Sequence, residues 1–235
     1  MRPLEILLSL VNLLTFCILA IPQLRTIRWT GYLVLATVLI AGVQMLAEGI
    51  RWQMIPAYAL AGSFSLAWLL QNFAPGGWFI GQLLTTRFAI GLCVGLGVLG
   101  LATSIALPMI LPVFHFPRPG GPYQIGTVTY HWVDASRHEI FSADLNARRE
   151  LMVQVWYPAK GDSSSPRAPY MQDADAVAPA LARLFHLPEF TLDHFKYVAT
   201  DSATSIPMAT DKHSYPVLIF LTGLNGFRQS NTFQV

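Results

Sequence analysis

The first half of this sequence is almost without charge. Before His115 lysine is absent, and the charged residues are Arg2, Glu5, Arg25, Arg28, Glu48, Arg51 and Arg87. Charged residues make up 12% of the whole chain, against about 25% in a typical soluble protein. The others all follow His115. Because 235 residues are enough for one or two domains, this asymmetry predicts two unlike parts.

Other absences exclude classes of partner and cofactor. The net charge is only +2 and no basic stripe or RNA-binding motif occurs, so we expect no nucleic-acid partner. Neither a phosphate-binding Gly-x-x-x-x-Gly-Lys nor a dinucleotide Gly-x-Gly-x-x-Gly is present. Cys17 and Cys93 both lie in apolar runs, which predicts small packed hydrophobes rather than a disulfide framework. We expect no cofactor and no metal.

Long apolar runs dominate the first half. Four of them approach or exceed the roughly 20 residues that cross a hydrocarbon core, near residues 4–21, 31–47, 54–70 and 88–114. The last is overlong, and Pro108 and Pro112 indicate its end or a kink. The sequence therefore predicts a multi-pass integral membrane region of about four helices.

This predicted bundle is interpreted as an anchor rather than a transporter. No ionisable residue lies in the middle of any span, whereas ion and proton paths usually need one. We expect Asn12 and Gln44 to form interhelical hydrogen bonds, and the glycines of the fourth span to permit close helix packing. Basic residues tie between the two sides, and the pair Arg25 and Arg28 tips the expectation slightly toward an extracytoplasmic C-terminal domain.

The composition changes at residues 116–122, where three prolines and two glycines indicate a linker. The predicted boundaries are a transmembrane region over 1–115, this linker, and a soluble domain over 123–235. Residues 126–133 and 150–157 alternate and are rich in β-branched and aromatic side chains, so they predict strands. Residues 134–138 between them are expected to form a turn.

The sequence predicts a helix and then a buried strand toward the end of the chain. Residues 175–187 carry apolar side chains at helical spacing, with Asp173 or Asp175 as the cap. Residues 215–222 form a short continuous apolar run, which is typical of a strand buried on both faces of an α/β sheet. The run leads into a glycine-bearing turn, and loops at the carboxyl ends of such strands are where ligand sites usually lie.

Two segments carry a resemblance to a known family. Residues 148–159 read RRELMVQVWYPA, and residues 216–228 read PVLIFLTGLNGFR. In this order they resemble the beginning of a platelet-activating-factor acetylhydrolase-like α/β-hydrolase. The resemblance covers about residues 121–235 and does not include the helical half. It implies the beginning of an α/β-hydrolase domain and a serine ester hydrolase acting on lipid-like or other acyl esters.

The resemblance also implies a role for the glycine turn. In the family this turn contributes a backbone N–H to the oxyanion hole, and the matching donor here is the N–H of Leu224. Glycine at 223 and 226 would let the backbone approach the substrate. The chain departs from the family at Thr222, where histidine is usual, and at Asn225, where glycine is commoner.

The rest of the catalytic machinery is absent from the sequence. No Gly-x-Ser-x-Gly nucleophile elbow occurs, so we expect an N-terminal fragment of a longer enzyme that is inactive as it stands. Asp134, Ser136 and His138 are not expected to form a triad because they alternate along an extended segment. Ser230 is expected to cap a helix. The alternative function is a non-catalytic membrane protein whose soluble part is an interaction module.

Overall fold

A computed structural model describes residues 1–21, 30–73, 87–161, 165–223 and 226–234. The chain divides into two compact units, Met1–Val113 and Phe114–Val235. The first is helical, and the second is built on a mixed β-sheet.

Four long helices make up the helical unit. They are α1 (Pro3–Ala20), α2 (Thr30–Glu48), α3 (Ile55–Phe73) and α4 (Arg87–Ile110), and a short 3₁₀ helix, Trp52–Met54, precedes α3. All four are long and apolar enough to cross a membrane. The last helix ends before the predicted residue 114, and Pro108 lies in its final turn. Trp52–Met54 and α3 together match the third predicted span.

The helical unit exposes many apolar side chains and buries several polar ones beside its apolar clusters. Leu35, Leu39, Leu46 and Ile110 are among many exposed aliphatic residues. Among the described residues of this unit, nine polar side chains are buried: Glu5, Ser9, Asn12, Thr15, Thr37, Gln44, Arg51, Gln53 and Ser104. A water-soluble bundle has the opposite arrangement. Since lipid favours an apolar exterior and satisfied polar groups within, this arrangement fits a membrane bundle.

The fourth span is predicted to pack closely through its glycines. Other helices approach α4 closely at only some of these glycines. A Cβ at Gly97 would overlap the ring of Phe16 on α1, and one at Gly100 would lie 3.0 Å from a methyl of Leu60 on α3. Nothing lies within 4 Å of such an atom at Gly91 or Gly95. Close packing therefore involves Gly97 and Gly100.

The sheet of the second unit has the strand order β2-β1-β4-β3. Its strands are β1 (Gln124–His138), β2 (Arg148–Ala159), β3 (Arg167–Pro169) and β4 (Ala199–Thr204). β1 pairs with β2 in antiparallel register and with β4 in parallel register. The prediction of two strands is confirmed, but the turn predicted at 134–138 is wrong. Those residues extend β1 through an irregularity between Asp134 and His138.

Helix α5 (Ala174–Leu184) lies within the predicted helix 175–187 except at its first residue. Asp173 occupies its N-cap position, as predicted, but its side chain makes no capping hydrogen bond. The face of α5 that is buried consists of Ala178, Leu181 and Ala182, whereas the predicted face residues Leu184 and Phe185 are exposed. A 3₁₀ segment, Glu189–Tyr197, follows.

Aromatic rings connect the beginning of the second unit to its interior. Phe114 lies 5.5 Å from Tyr170 and 6.0 Å from Phe195, and Phe116 lies 5.3 Å from Tyr170, measured between ring centroids. Burial raises the pKa of the Tyr170 phenol. Residues 114 and 116 are therefore half-buried against the aromatic side chains of this unit.

Candidate functional site

The glycine turn after residue 222 is closed by a backbone hydrogen bond. The N–H of Gly226 donates to the carbonyl oxygen of Gly223 at 2.9 Å. A Cβ at Gly226 would lie 3.0 Å from that same oxygen and 3.0 Å from Cβ of Thr222. Position 226 therefore favours glycine, because a side chain there would press against the chain at residues 222 and 223. Gly223 has open space around it.

Leu224, whose backbone N–H is the predicted oxyanion-hole donor, lies outside the described residues, as does Asn225. The sequence-based assignment of Leu224 remains a prediction. On either side of these two positions, the described Thr222 and Gly223 are both exposed. The backbone that leads into the turn is therefore accessible to solvent.

The residues after the turn attach it to helix α5. Nη2 of Arg228 lies 2.6 Å from Oδ2 of Asp173, the residue at the N-cap position. This ion pair explains why the Asp173 carboxylate does not cap the helix itself. Phe227 adds an edge contact with the ring of Tyr170 at 6.3 Å. The turn is thus held against the body of its unit.

The expectation that Ser230 caps a helix is wrong. Its hydroxyl donates to the carbonyl oxygen of Phe227 at 2.7 Å, whereas an N-cap side chain accepts from the backbone. The same carbonyl also accepts from the N–H of Ser230 at 2.9 Å. Ser230 therefore belongs to a turn, and among the described residues its hydroxyl bonds to the Phe227 carbonyl and the Asn231 amide rather than to a base.

The strand predicted at 215–222 does not form. The segment belongs to no sheet, and its five apolar side chains at 217–221 are between 55% and 90% exposed. A strand with two apolar faces needs a covering layer on each side. The described part of the second unit has one α-helix, α5, which buries its own small residues instead. The segment is an uncovered apolar run.

Asp134, Ser136 and His138 do not form a relay. The Ser136 hydroxyl lies 2.6 Å from Oδ1 of Asp134, and the Arg137 Nε lies 2.5 Å from Oδ2. These contacts, led by the Ser136 hydroxyl, hold the pKa of the Asp134 carboxyl below its usual range. His138 instead faces Leu145 and Arg148, at 3.1 Å from each. The histidine therefore does not adjoin the serine, and the three residues form no serine–histidine–aspartate relay.

Metal-binding groups do not gather in the parts of the chain that the structure describes. No set of three or more His, Cys, Asp or Glu residues is placed to hold an ion there. His131 forms a surface pair with Glu150 at 2.7 Å, and His194 is buried against the ring of Phe195. These two histidines therefore contact a surface carboxylate and an aromatic ring, and neither belongs to a cluster of metal-binding groups.

Four charged residues meet at one end of the helical unit, and sequence reasoning missed this. Nη1 of Arg51 lies 2.7 Å from Oε1 of Glu5, and both side chains are fully buried. Arg2 lies 2.9 Å from Glu5 and 3.5 Å from Glu48. No charged residue lies in the middle of a predicted span, but the bundle does bury charge near the span ends. The cluster Arg2–Glu5–Glu48–Arg51 has two positive and two negative members.

The cluster connects all the helices of its unit. Glu5 belongs to α1 and Glu48 ends α2, while Arg51 precedes α3 and donates to the carbonyl of Leu111, just after α4, at 2.6 Å. Hydropathy along the chain could not reveal it because Glu5 and Arg51 are 46 positions apart. A balanced cluster of this kind fixes the arrangement of helices and does not by itself provide an ion path.

Asn12 and Gln44 form interhelical hydrogen bonds, as predicted. Nδ2 of Asn12 donates to the carbonyl of Ala57 at 3.0 Å, and the Tyr58 hydroxyl donates to Oε1 of Gln44 at 2.5 Å. Together with the charged cluster they give the bundle one specific packing.

Comparison with protein-family models, with curated proteins and with solved structures finds no match for this chain.

Proposed function

We propose that this chain provides the membrane anchor and the oxyanion-hole segment of a serine ester hydrolase similar to platelet-activating-factor acetylhydrolases. Its substrates would be lipid-like or other acyl esters, and its neighbouring partner is membrane lipid. The nucleophile elbow is not in these 235 residues, so the proposal assigns the serine, histidine and aspartate to sequence outside them.

The observation that carries the proposal is the closed glycine turn. The turn follows an apolar run, is exposed, and leaves little room for a side chain at 226. It is accompanied by strand β2, whose carboxyl end carries Trp156, Tyr157 and Pro158. These are the two segments on which the family resemblance rests.

The proposed chemistry is acyl transfer. A serine oxygen attacks the ester carbonyl, a histidine takes the serine proton, and the carbonyl oxygen becomes an oxyanion in the tetrahedral intermediate. A backbone N–H that is already aimed at this oxygen stabilises the developing charge without reorganising. In the proposal Leu224 supplies one such N–H. The four apolar helices hold the site beside the bilayer, where lipid-like esters are concentrated.

The test uses the product of the complete open reading frame, purified in detergent. We expect it to hydrolyse p-nitrophenyl acetate, and we expect an organophosphate to block the reaction. Gly226→Val should lower kcat by about 10²–10³-fold, the usual effect of removing one oxyanion-hole donor. Gly120→Val is the matched control, because nothing lies within 4 Å of a Cβ at that position.

A second function is favoured by one specific observation. The apolar side chains at 217–221 are exposed, as they would be in a module that binds another protein. Under this alternative the complete product shows no organophosphate-sensitive hydrolysis, and substitutions in this run abolish binding to a partner. Absence of inhibitable turnover would therefore reject the esterase proposal and leave the interaction module.

A further inference from the structure

The loop that joins β1 to β2 carries a group of exposed apolar side chains. The loop comprises residues 139–147, and in it Ile140, Phe141 and Leu145 are 75%, 87% and 87% exposed. We call these three side chains the apolar tip. Exposed apolar side chains that cluster, rather than occurring singly, indicate a surface that contacts another protein or a membrane.

The hairpin that carries the apolar tip extends beyond the rest of its sheet. β4 pairs with β1 only at residues 125–127, whereas β1 and β2 stay paired as far as His138 and Arg148. The rings of Tyr130 and Trp132 stack at 6.1 Å on this two-stranded part, and both are about half exposed. Because a two-stranded hairpin is only marginally stable in water, an apolar surface that covers it would stabilise it.

The backbone of the loop is hydrogen-bonded within the hairpin. The N–H groups of Glu139 and Ala147 donate to carbonyl oxygens at 3.0 and 3.1 Å. Those of Phe141, Asp144 and Asn146 donate to side-chain oxygens of the same loop at between 2.9 and 3.1 Å. Since an unpaired backbone group is costly in lipid, a loop with these N–H groups already bonded is suited to the edge of a bilayer.

The charges next to the apolar tip balance one another. Residues 134–149 contain three arginines and three carboxylates. Arg137 lies 2.5 Å from Asp134, and Arg149 lies 4.0 Å from Glu139. There is no excess charge here that would attract a polyanion or select anionic lipid. Contact through this loop would therefore be driven by apolar burial rather than by charge.

The connection along the chain favours a bilayer as the contacting surface. α4, which is long and apolar enough to cross a membrane, ends at Ile110, and β1 begins at Gln124. Residues 111–123 between them can span at most about 45 Å when fully extended. Covalent attachment of this kind gives the tip a high effective concentration at the bilayer surface. A separate protein has no such advantage.

We propose that the apolar tip inserts into the interface of the bilayer that holds the four helices, as a further membrane contact of this chain. Ile140, Phe141 and Leu145 reach the boundary of headgroups and acyl chains, about 5–10 Å deep, as interfacial amphipathic helices do. The balanced charges stay among the headgroups. Deeper entry is prevented because the outer edges of the two-stranded hairpin have unpaired backbone groups. The inference does not depend on the proposed ester hydrolysis.

The test places one fluorophore in the loop of the 235-residue chain. Cys17→Ser and Cys93→Ser remove the native thiols, and Ala143→Cys, at an exposed position of the loop, is labelled with nitrobenzoxadiazole. Phosphatidylcholine nanodiscs contain lipids with a nitroxide either just below the headgroups or at the bilayer centre. We expect stronger quenching by the shallow nitroxide, and shielding from aqueous iodide. Ala180→Cys, also an exposed alanine but on α5, is the matched label position and should show neither.

Removal of apolar side chains from the tip should abolish the contact. In the Ala143→Cys chain, Phe141→Ser combined with Leu145→Ser should lose the lipid quenching and regain access to iodide. Leu184→Ser combined with Phe185→Ser removes a matched exposed pair at the end of α5 and should leave the quenching unchanged. Because the charges beside the tip balance, neither added salt nor phosphatidylglycerol should change the quenching.

Several results would overturn the proposal. Equal lipid quenching at positions 143 and 180 would mean that nearness to the bilayer alone explains it. Shielding from iodide without lipid quenching would show that a protein surface, such as a second copy of this chain, covers the tip. Access to iodide without lipid quenching would show that the tip lies in water. Quenching that requires phosphatidylglycerol or disappears in salt would indicate an electrostatic contact instead.

Discussion

Replacing Glu5 with glutamine would leave the Arg51 guanidinium buried beside a neutral amide. The two side chains are fully buried and their charged atoms are 2.7 Å apart. Removing one partner of a buried ion pair usually costs about 3–5 kcal/mol because the remaining charge stays desolvated. Arg51 would keep its hydrogen bond to the Leu111 carbonyl. We therefore expect a loss near the lower end, about 3 kcal/mol of unfolding free energy.

A double-mutant cycle isolates the pair from the rest of the cluster. It compares Glu5→Gln, Arg51→Met and the double variant by reversible SDS-induced unfolding in detergent micelles, followed by far-UV circular dichroism. Contacting residues show interaction energies of about 0.5–3 kcal/mol, and we expect about 2 kcal/mol here. Ser63→Ala, which removes an exposed hydroxyl bonded to the Leu60 carbonyl, should stay within about 0.5 kcal/mol of the parent.

Strict additivity would refute this reasoning. If the double variant lost as much stability as the two single variants combined, Glu5 and Arg51 would not be coupled in the folded bundle. A loss for Glu5→Gln no larger than that of the serine control would also refute it, because a buried charge cannot lose its partner without cost.

Two further predictions concern packing and titration. Gly97→Ala should destabilise the helical unit by about 1–3 kcal/mol, since its Cβ would overlap the Phe16 ring, whereas Gly95→Ala has open space and should be neutral or mildly stabilising in the same SDS assay. The Tyr215 hydroxyl donates to the Asp211 carboxylate at 2.6 Å, which raises the pKa of the tyrosine. The hydroxyls of Tyr123 and Tyr215 both donate to this carboxylate and lower the pKa of the aspartate. The bond from Tyr215 is weakened when the aspartate is protonated at low pH, and it is lost when the tyrosine ionises at high pH. Asp211→Asn should therefore bring the phenol pKa down toward about 10, and absorbance titration at 295 nm would contradict this if the curve did not move.

The long helices could be predicted from sequence because apolar length alone indicates them. The described bounds differ from the predicted ones by a few residues, and the largest difference is at the end of α4, where Ile110 is the last residue rather than Phe114. The buried cluster could not be predicted in the same way. Glu5 and Arg51 lie near span ends, where charge is ordinary, and only the packing of the helices brings them together.

The strands of the second unit could be predicted where apolar and polar side chains alternate. They could not be predicted where the side chains are small and polar. The paired strands β1 and β2 follow their alternation, whereas β4 reads ATDSAT, which carries no strand signal. Residues 134–138 have turn-like composition, yet they continue β1 because their polar side chains point to solvent on an exposed part of the strand. The apolar run at 217–221 shows the opposite failure, since composition predicted a burial that its surroundings do not provide.

The spacing within the buried cluster has a consequence for the order of synthesis. A ribosome adds about 5–20 residues per second, so Arg51 follows Glu5, 46 positions earlier, by roughly two to nine seconds. Arg2 is three positions from Glu5 and donates to it from both its backbone and its side chain. The nascent first helix thus carries its own counter-charge from the start. Arg2 can therefore neutralise Glu5 before Arg51 has been synthesised.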